Sequence, residues 1–501
     1  MHLFAVFTAC RFVYDNVQNF FPKKIFFYNT NKFYYKINKN SSFCDIIIYN
    51  MINFLPKSIV ELAKKLPRPL YAVGGVVRNF LIDGSISDDI DLGAAISPEE
   101  LSPYLLECGF KICAEYKRTG TIVFDDQTRR YEYTAFRREE YVGGEHVPYL
   151  TQFTESIQED ALRRDFKCNA IYYDLKNHKY EDPLDGIKDV KGRVIDTVTT
   201  PYKVFSNDGL RLMRLARFSG ELHFVPTTDV LKAASTHAAN IKEISPERIY
   251  AELIRILQSD QKYPFSDPRG HYVGLKILDS TRVLDYIFPE LTEGRGMAQR
   301  ADFHLYDVLE HSLRTLRHAD PSIRLAALLH DIGKPFCFKR DGYYYHHFEE
   351  GEKLAESALM RLKADKETIK EVKFLVREHM VDLDCSLKES QVRRFIVKNQ
   401  DMLDKLLMVK QADFRASLET HDIAPTLIKW GRIMQKMQED GTPFSLKALK
   451  ISAADLMAIG FKDKDIGKEL KKLWDGAVAH PELNESETLN ETAKKDFQKI
   501  K

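Results

Sequence analysis

Two aspartates, Asp89 and Asp91, stand two residues apart in the segment DDIDLGAA, whose pattern predicts a β-strand. Residues i and i+2 of a strand project from the same face, so we expect the two carboxylates side by side, with Ile90 pointing into the core. Ionised carboxylates this close repel each other, and divalent metal relieves the repulsion. Two Mg²⁺ ions ~3.5–4 Å apart can activate a hydroxyl group and stabilise a leaving phosphate. Glu132, on the neighbouring predicted strand, is a candidate third carboxylate. The spacing of the two aspartates, taken alone, favours a solvated surface turn.

A glycine pair precedes these carboxylates. Gly74 and Gly75 end one predicted strand and open a helix, which aims free backbone N–H groups and a positive dipole end at any nearby anion. Arg78, one turn into that helix, adds a charge-assisted contact for a phosphate. A glycine turn and helix followed by two acidic residues on the next strand indicate a triphosphate site beside a two-metal site.

The elements that must position these residues are short strands alternating with helices, from residue 70 to about 200. Ser97 and Pro98 mark the start of one helix, Gly84 marks the end of another, and Asp125-Asp126-Gln127 joins two strands as a hairpin. Beyond residue 200, apolar residues recur every three or four positions, which predicts an almost wholly helical remainder. The tail from about residue 483 is polar, and we expect it to be weakly structured.

Composition limits what the whole chain can be. A chain of 501 residues is too long for one hydrophobic core, so we expect three or four structural units. The net charge of +1 gives no overall basic signature, so any nucleic-acid site must be a local patch. No apolar run approaches the ~20 residues of a membrane span. Seven cysteines without a CxxC pair indicate reduced intracellular thiols, and neither a disulfide framework nor a zinc ribbon. They are Cys10, Cys44, Cys108, Cys113, Cys168, Cys337 and Cys385.

The first fifty residues differ from the rest, being rich in Phe, Tyr, Asn, Lys and Ile and almost free of acidic residues. One interpretation is an organellar transit peptide, which tends to be basic and poor in acids. The segment has little arginine and no amphipathic period, so we favour translated upstream DNA, with Met51 as the true start. The folded part of the chain is therefore expected to begin near residue 51.

Four motifs, in order, resemble the tRNA nucleotidyltransferase/poly(A) polymerase family of the polymerase-beta-like superfamily. They are GGVVRN…DDIDL, EDALRRDFKCNAIYYD, EDPLDGIKDVKGRVIDTV and FSNDGLRLMRLARFSGEL, and the resemblance runs from about residue 60 to 290. The resemblance implies that Asp89 and Asp91 hold the catalytic metals and that Gly74, Gly75 and Arg78 contact the triphosphate. It also implies that Asp165 binds the ribose 2′-OH, with Arg163 and Arg164 nearby.

The segment NDGLRLMRLARF resembles the family motif in which protein side chains act as the template. Cytosine and adenine both present an amine beside an unprotonated ring nitrogen, whereas uracil and guanine present a carbonyl beside an N–H. A carboxylate (Asp208) and a guanidinium (Arg211) complement the first pair of bases and clash with the second. Being three residues apart, they are expected on one helix face, and Arg214 is placed with the nucleotide site. Taken alone, the segment is also compatible with a surface ion pair, with Arg214 and Arg217 as a solvated stripe, and the preceding motifs favour the nucleotide site.

Three departures from the family pattern stand out. Asn207 replaces a glutamate that orients the template arginine, and Asn79 replaces an aspartate after the motif arginine. Glu145-His146 lies in a loop where the family usually has basic residues. In the family that loop helps the switch from adding C to adding A.

A series of histidines and aspartates follows downstream, in DVLEHSLRTL, RLAALLHDIGKP, YYYHHFEEGEKLAE, VREHM and MVKQADFRA. Imidazole and carboxylate side chains that converge suit Mn, Fe, Ni or Mg. Any single histidine here is more commonly structural, but the ordered series resembles an HD-domain phosphohydrolase module. The resemblance implies a metal site formed by His311, His330, Asp331 and Asp413, with His347 and His379 able to bind a second metal or a phosphate.

Together these observations predict an α+β chain: a polymerase-beta-like head with a small mixed sheet, then an all-α body and an α-helical HD domain. The expected boundaries are 1–50 for the extension, 51–200 for the head, 201–295 for the neck and body, 296–420 for the HD domain and 421–501 for a helical C-terminal region.

The expected activity is addition of CCA to tRNA from CTP and ATP, with Mg²⁺ in the head and an unidentified divalent metal in the HD domain. Basic residues of the helical body are expected to hold the tRNA backbone. Two alternatives remain: A-only addition or poly(A) tailing, and an HD phosphohydrolase whose head senses nucleotides. We expect a cytoplasmic protein without a membrane partner, or an organellar one if the extension is real.

Overall fold

The strands expected before residue 200 are present in the computed structural model of the protein, which describes residues 51–86, 89–140, 149–299 and 305–500. The strands are β1 Tyr71–Val73, β2 Ile90–Ala94, β3 Lys111–Tyr116, β4 Thr121–Asp125, β5 Arg130–Ala135, β6 Arg137–Glu140, β7 Leu150–Phe153, β8 Tyr172–Asp174, β9 Lys179–Glu181, β10 Val194–Ile195 and β11 Val225–Pro226. Seven form one mixed sheet in the order β3-β4-β5-β2-β1-β8-β9, in which β2 and β5 are parallel and the other neighbours antiparallel. The predicted mixed sheet is confirmed.

The helices between residues 51 and 292 alternate with the strands up to about residue 200, and beyond that point almost all elements are helices. They are α1 Lys57–Lys65, α2 Gly75–Asp83, α3 Pro98–Glu107, α4 Ile157–Leu162, α5 Gly186–Gly192, α6 Pro201–Asn207, α7 Leu210–Leu222, α8 Thr228–Thr236, α9 Pro246–Leu257, α10 Gly270–Ser280, α11 Leu284–Ile287 and α12 Pro289–Thr292. After residue 200 the only strand of this part among the described residues is the two-residue β11, which confirms the predicted change to helix.

Local signals in the sequence set the ends of these helices. The Ser97 side chain accepts a hydrogen bond from the Glu100 N–H, and the Glu100 side chain caps the Ser97 N–H in return, so α3 begins with a capping box. Helix α2 ends at Gly84, which adopts a left-handed conformation. Both predicted boundaries are confirmed.

Helix α7 is buried almost along its whole length, between α9 and α10. Its backbone comes very close to that of α10: a Cβ atom built on Gly220 would lie 2.5 Å from the Gly270 carbonyl oxygen. Only glycine permits this approach. The contact fixes α7, which carries several residues of the candidate site.

The remainder of the chain is helical. Its helices are α13 Val308–His318, α14 Arg324–Leu329, α15 Lys334–Asp341, α16 His347–Arg361, α17 Lys366–Glu378, α18 Glu389–Lys398, α19 Leu403–Leu418, α20 Pro425–Glu439, α21 Ala453–Ile459, α22 Lys464–Ala479 and α23 Ser486–Ile500. One core of this part surrounds Trp430, and a second surrounds Leu456 and Leu473.

Our prediction of a weakly structured tail is wrong. Residues of the polar tail form α23, and Leu489 and Ala493 are buried in the core around Leu456. They are four residues apart, with Phe497 a further four along, so one apolar stripe runs along an otherwise polar helix.

The described residues pack as two compact units. The N-terminal unit comprises 51–292 with Arg361–Ala364, and the C-terminal unit comprises 293–360 with 365–500. The five cysteines in the described part are free thiols, and no helix there is long and apolar enough to cross a bilayer. The unusual first fifty residues and the Glu145-His146 pair lie outside the described residues.

Candidate functional site

The parallel pairing of β2 and β5 places Asp91 directly beside Glu132. Both side chains project from the face of the sheet opposite to the buried Ile90, as expected from strand alternation. Asp89 lies one residue before β2, so its predicted place within the strand is wrong, although its charge still acts on Asp91. The pKa of Asp91 is raised to about 6, chiefly because surrounding protein displaces water, and then because Glu132 repels its charge.

The glycine turn before α2 is tightly matched to Asp91. Gly74 has φ +76° and ψ −131°, a conformation that side chains rarely adopt. A Cβ atom at this position would lie 3.3 Å from Asp91 Oδ2. The backbone therefore passes beside the carboxylate at the point where α2 begins, at Gly75.

Arg78 is buried and is held by neutral partners. Its guanidinium donates to Asn79 Oδ1 at 2.9 and 3.2 Å, to Asn169 Oδ1, and to the Tyr263 hydroxyl at 3.4 Å. The unusual Asn79 thus serves as an acceptor that orients Arg78. Asn169, which sequence reasoning missed, connects Arg78 to the next part of the site.

Helix α4 ends in two arginines that share one carboxylate. Asp160, fully buried, accepts hydrogen bonds from Arg163 Nε at 2.7 Å, from Arg164 Nη2 at 3.1 Å and from the Tyr172 hydroxyl at 2.7 Å. Burial opposes its ionisation, but the two arginines outweigh burial and lower the Asp160 pKa to about 2. Sequence reasoning missed Asp160, although its spacing of three and four from the arginines is a helical signal.

Asp165 is buried and already paired. Its Oδ1 accepts from the Phe166 N–H at 2.8 Å and from Asn169 Nδ2 at 3.1 Å, while Oδ2 accepts from Arg214 Nε at 2.7 Å. Burial again opposes the charge, and Arg214 with the other donors lowers the pKa of Asp165 to about 2. Arg214 is thereby fixed on the wall of the site.

Asp208 and Arg211 do not share a helix face, so that prediction is wrong. The helical conformation is interrupted between α6 and α7. Asp208 is extended there, with φ −150°, and its Oδ1 accepts a hydrogen bond from the Leu210 N–H at 2.9 Å. Arg211 belongs to α7, and its Nη2 donates to the Arg163 carbonyl at 2.6 Å. Its Nε lies 3.9 Å from Asp208 Oδ2, so the two side chains remain neighbours.

The N-terminal unit has an open cleft of about 1160 Å³ at this site. Every predicted nucleotide-binding residue lines it, as do Asp89 and Asp91, whereas Glu132 is not among the lining residues. The cleft also has basic and aromatic residues that sequence reasoning had not singled out, namely Arg137, Arg248, Arg255, Lys262 and Tyr263. A concave site rich in arginine that also contains Asp89 and Asp91 suits a polyphosphate with a divalent cation.

A second site lies in the C-terminal unit, where buried imidazoles converge. His330, His347 and His379 each direct Nδ1 to a backbone carbonyl, of Ala327, Tyr344 and Val376, at 2.7–2.8 Å. Because Nδ1 then carries the proton, the Nε2 lone pairs are free to bind a metal.

The carboxylate of Asp331 is at the centre of this cluster. It lies within 3.1–3.7 Å of the Nε2 atoms of His311, His330, His347 and His379. Asp413 Oδ1 lies 3.0 Å from His311 Nε2, and Lys334 Nζ lies 2.7 Å from Asp331. All six predicted ligands are therefore brought together, and Lys334 is an addition.

The protonation of these groups suits metal binding. Burial lowers the pKa of His379 to about 4, which keeps its imidazole neutral. Burial opposes ionisation of Asp331, yet His330 and Lys334 hold its pKa well below the ordinary value. An ionised Asp331 beside the neutral imidazole of His379 fits a donor set for a first-row divalent metal.

Candidate ligand atoms within 4.8 Å of one another occur in two groups of three among the described residues, and both groups contain Asp331. One adds His311 and His330, the other His347 and His379. The head carboxylates do not form such a group, so a metal site there stays a prediction.

Three family profiles match the chain in succession. They are the Poly A polymerase head domain over residues 70–196, the Probable RNA and SrmB- binding site of polymerase A over 223–294, and the HD domain over 308–458.

Curated relatives include the A-adding tRNA nucleotidyltransferase of Deinococcus radiodurans, 33% identical over 52% of this chain and 61% of that protein. The CCA-adding enzyme of Staphylococcus epidermidis is 34% identical over 38% of this chain and 46% of its own. Both matches span less than two thirds of the relative. The CC-adding tRNA nucleotidyltransferase of Thermus thermophilus is 29% identical over 81% of this chain and 89% of its own.

Solved structures support the fold. The Bacillus stearothermophilus CCA-adding enzyme in complex with CTP has a TM-score of 0.62 at 20% identity, covering 89% of this chain and 98% of that one. A Thermotoga maritima CCA-adding enzyme complexed with tRNA has a TM-score of 0.59 at 18% identity, covering 89% and 97%. The chain thus carries a Poly A polymerase head domain, an RNA-binding segment and an HD domain, in that order along the sequence.

Proposed function

We propose that the chain adds CCA to the 3′ end of tRNA from CTP and ATP, releasing pyrophosphate, and does so in the cytoplasm. The observation that carries the proposal is the shared cleft: Gly74, Asp91 and the Asp208–Arg211 pair line one concave surface. The relatives named for A, CC and CCA addition to tRNA support the same chemistry.

The reaction would join the RNA 3′-oxygen to the α-phosphorus while the bond from that phosphorus to pyrophosphate breaks. Asp89 and Asp91 would hold Mg²⁺, and a bound cation would further relieve the repulsion between Asp91 and Glu132. When bound, the metal would activate the 3′-hydroxyl and stabilise the leaving pyrophosphate. The protein groups bind and orient the nucleotide around this point.

The arginines of the cleft would bind the triphosphate and ribose. The start of α2 at Gly75 offers free N–H groups, and Arg78 and Arg164 offer guanidinium donors. Asp165 is held by the Phe166 N–H, by Asn169 and by both Nε and Nη2 of Arg214. In this fixed orientation its carboxylate would accept a hydrogen bond from the ribose 2′-OH.

Base selection would rest on Asp208 and Arg211. Asp208 would accept from the exocyclic amine of cytosine or adenine, and Arg211 would donate to the adjacent ring nitrogen. Anchoring to the Arg163 carbonyl at 2.6 Å supplies Arg211 with the fixed orientation that a family glutamate would otherwise provide, in a chain that has Asn207.

The test uses tRNAs that end before CCA, after C and after CC, each given single or mixed nucleoside triphosphates with Mg²⁺. Sequenced products should show two C residues and then A. Addition of A alone or of CC alone would replace the proposal by the corresponding narrower activity. No addition to any substrate would contradict nucleotidyl transfer altogether.

We further propose phosphoester hydrolysis in the C-terminal unit as a second activity. The observation that favours it is the convergence of four histidine Nε2 atoms on Asp331. His311, His330, Asp331 and Asp413 would hold one divalent metal, with His347 and His379 available for a second. Such a metal would supply a nucleophilic hydroxide at neutral pH.

The check is hydrolysis of p-nitrophenyl phosphate and of 2′,3′-cyclic nucleotides with Mn²⁺, Ni²⁺, Fe²⁺ or Mg²⁺ added singly. Asp331→Ala should remove the hydrolysis. Hydrolysis by the unsubstituted chain that Asp331→Ala leaves intact would refute the assignment, and absence of hydrolysis with every metal would reduce the site to a structural one.

A further inference from the structure

Three positively charged guanidinium groups lie close to one aromatic ring in the nucleotide cleft. The guanidinium carbons of Arg78, Arg214 and Arg217 lie 5.2, 5.1 and 4.3 Å from the centroid of the Phe218 ring. These distances are within the range of cation–π attraction. Three like charges on one buried side chain repel each other unless other groups compensate them.

Compensation is unequal among the three arginines. Arg214 is paired with Asp165, and Arg217 is paired with Glu221 and Glu252, at 2.6–3.2 Å. Arg78 is different: its partners among the described residues are the neutral groups of Asn79, Asn169 and Tyr263. Its positive charge therefore remains available to an anion that enters the cleft.

The same ring closes a network around that charge. Arg78 donates to Asn169, Asn169 donates to Asp165, and Asp165 accepts from Arg214. Phe218 then contacts both Arg78 and Arg214, completing the loop. Each of these two arginines is thus held by polar contacts at its nitrogens and lies within cation–π distance of the ring.

We propose that Phe218 is a positioning residue for nucleotide binding: its ring holds Arg78 in the orientation that receives the triphosphate. The inference rests on the proposed nucleotidyl transfer. It assigns the ring a role through its electron density and beyond its packing volume, since an aliphatic side chain of similar size fills the space without attracting a cation.

The test replaces Phe218 in the full chain with 4-fluoro-, 3,5-difluoro- and 3,4,5-trifluorophenylalanine. Fluorine withdraws electron density from the ring face while barely changing its shape. The dissociation constants of ATP and CTP with Mg²⁺ are measured by equilibrium binding without RNA. We expect stepwise weakening, reaching about 3- to 30-fold for the trifluoro ring, the range of one cation–π contact.

A double-substitution cycle with Phe218→Leu and Arg78→Gln locates the effect. If the ring acts through Arg78, Phe218→Leu weakens nucleotide binding in the unsubstituted chain and has little further effect beside Arg78→Gln. The matched control is trifluorophenylalanine at Phe124, a fully buried ring that stacks on Tyr131 away from the cleft. It should leave both dissociation constants unchanged.

Equal nucleotide affinity across the fluorinated series would overturn the positioning role, and so would fully additive effects in the cycle. Tighter binding on fluorination would overturn it as well, because it would mean that the ring holds Arg78 away from the triphosphate. Failure of the unsubstituted chain to bind ATP or CTP would instead refute the proposed function, so the two failures are distinguishable.

Discussion

Asp91 is expected to make the candidate polymerase site sensitive to pH. A carboxyl group whose pKa is raised to about 6 keeps its proton to a higher pH than usual, so below that value Mg²⁺ must displace a proton. The Mg²⁺ concentration for half-maximal addition should therefore rise as pH falls through about 6. Glu132→Gln removes a repelling charge, lowers the Asp91 pKa and should move this rise to lower pH.

The measurement is a series of Mg²⁺ titrations of the addition rate between about pH 5 and pH 8. Glu115→Gln is the control, because Glu115 is an exposed strand residue outside the cleft. A Glu132→Gln profile that coincides with that of the unsubstituted chain would show that Glu132 does not act on Asp91.

Gly74 can be compared with Gly84, which shares its positive φ (+79° against +76°) but lies in the left-handed helical region, with ψ 6° against −131°. An alanine Cβ meets nothing within 4 Å at Gly84 but approaches Asp91 at Gly74. Gly84→Ala should cost about 1 kcal/mol of unfolding free energy and leave addition unchanged. Gly74→Ala should cost at least as much and reduce addition by more than tenfold.

Urea unfolding and addition rates, measured on both variants, separate strain from site damage. If Gly74→Ala retained full activity, the close approach of the turn to Asp91 would not matter for the reaction.

At the scale of elements, the sequence predicted the mixed sheet, the capped helices and the helical change after residue 200, because each has a local signal. It failed at Asp208, where apolar periodicity continues through a break. The segment SNDG is a turn signal, and the Asp208 side chain competes for the Leu210 N–H. The metal cluster was predicted from motif order, whereas Asn169 and Lys334 required the tertiary structure, since their partners are Arg78 and Gln299, far away along the chain.

Helix α23 yields a prediction of its own, because its apolar stripe was hidden by polar composition. Leu489 is almost completely buried, so Leu489→Ala should lower the unfolding free energy of the C-terminal unit by about 2–4 kcal/mol. Leu483→Ala is the control, since Leu483 is 38% exposed, and should cost far less. Denaturant unfolding followed by tryptophan fluorescence reports the difference, since Trp474 packs against the same cluster. Equal effects would mean that α23 does not contribute to this core.

At the scale of the whole molecule, the two candidate sites lie in different compact units. Asp331→Ala should therefore abolish hydrolysis and leave CCA addition within about twofold, the scatter expected when sites in separate units act independently. Asp89→Ala should have the opposite effect, abolishing addition and sparing both hydrolysis and tRNA binding. The two activities and tRNA affinity are measured on the same preparations. Loss of addition in Asp331→Ala would make the HD cluster a structural support for the head.

The hydrogen-bonded loop around Phe218 joins Arg78, the segment from Asp165 to Asn169, and helix α7. These pieces are far apart along the chain, so none of them can form the nucleotide pocket during synthesis until α7 has left the ribosome and packed. Nucleotide affinity is therefore expected late in folding, because the strands of the seven-stranded sheet all lie between residues 71 and 181, whereas the pocket also needs Arg214 and Phe218 of α7.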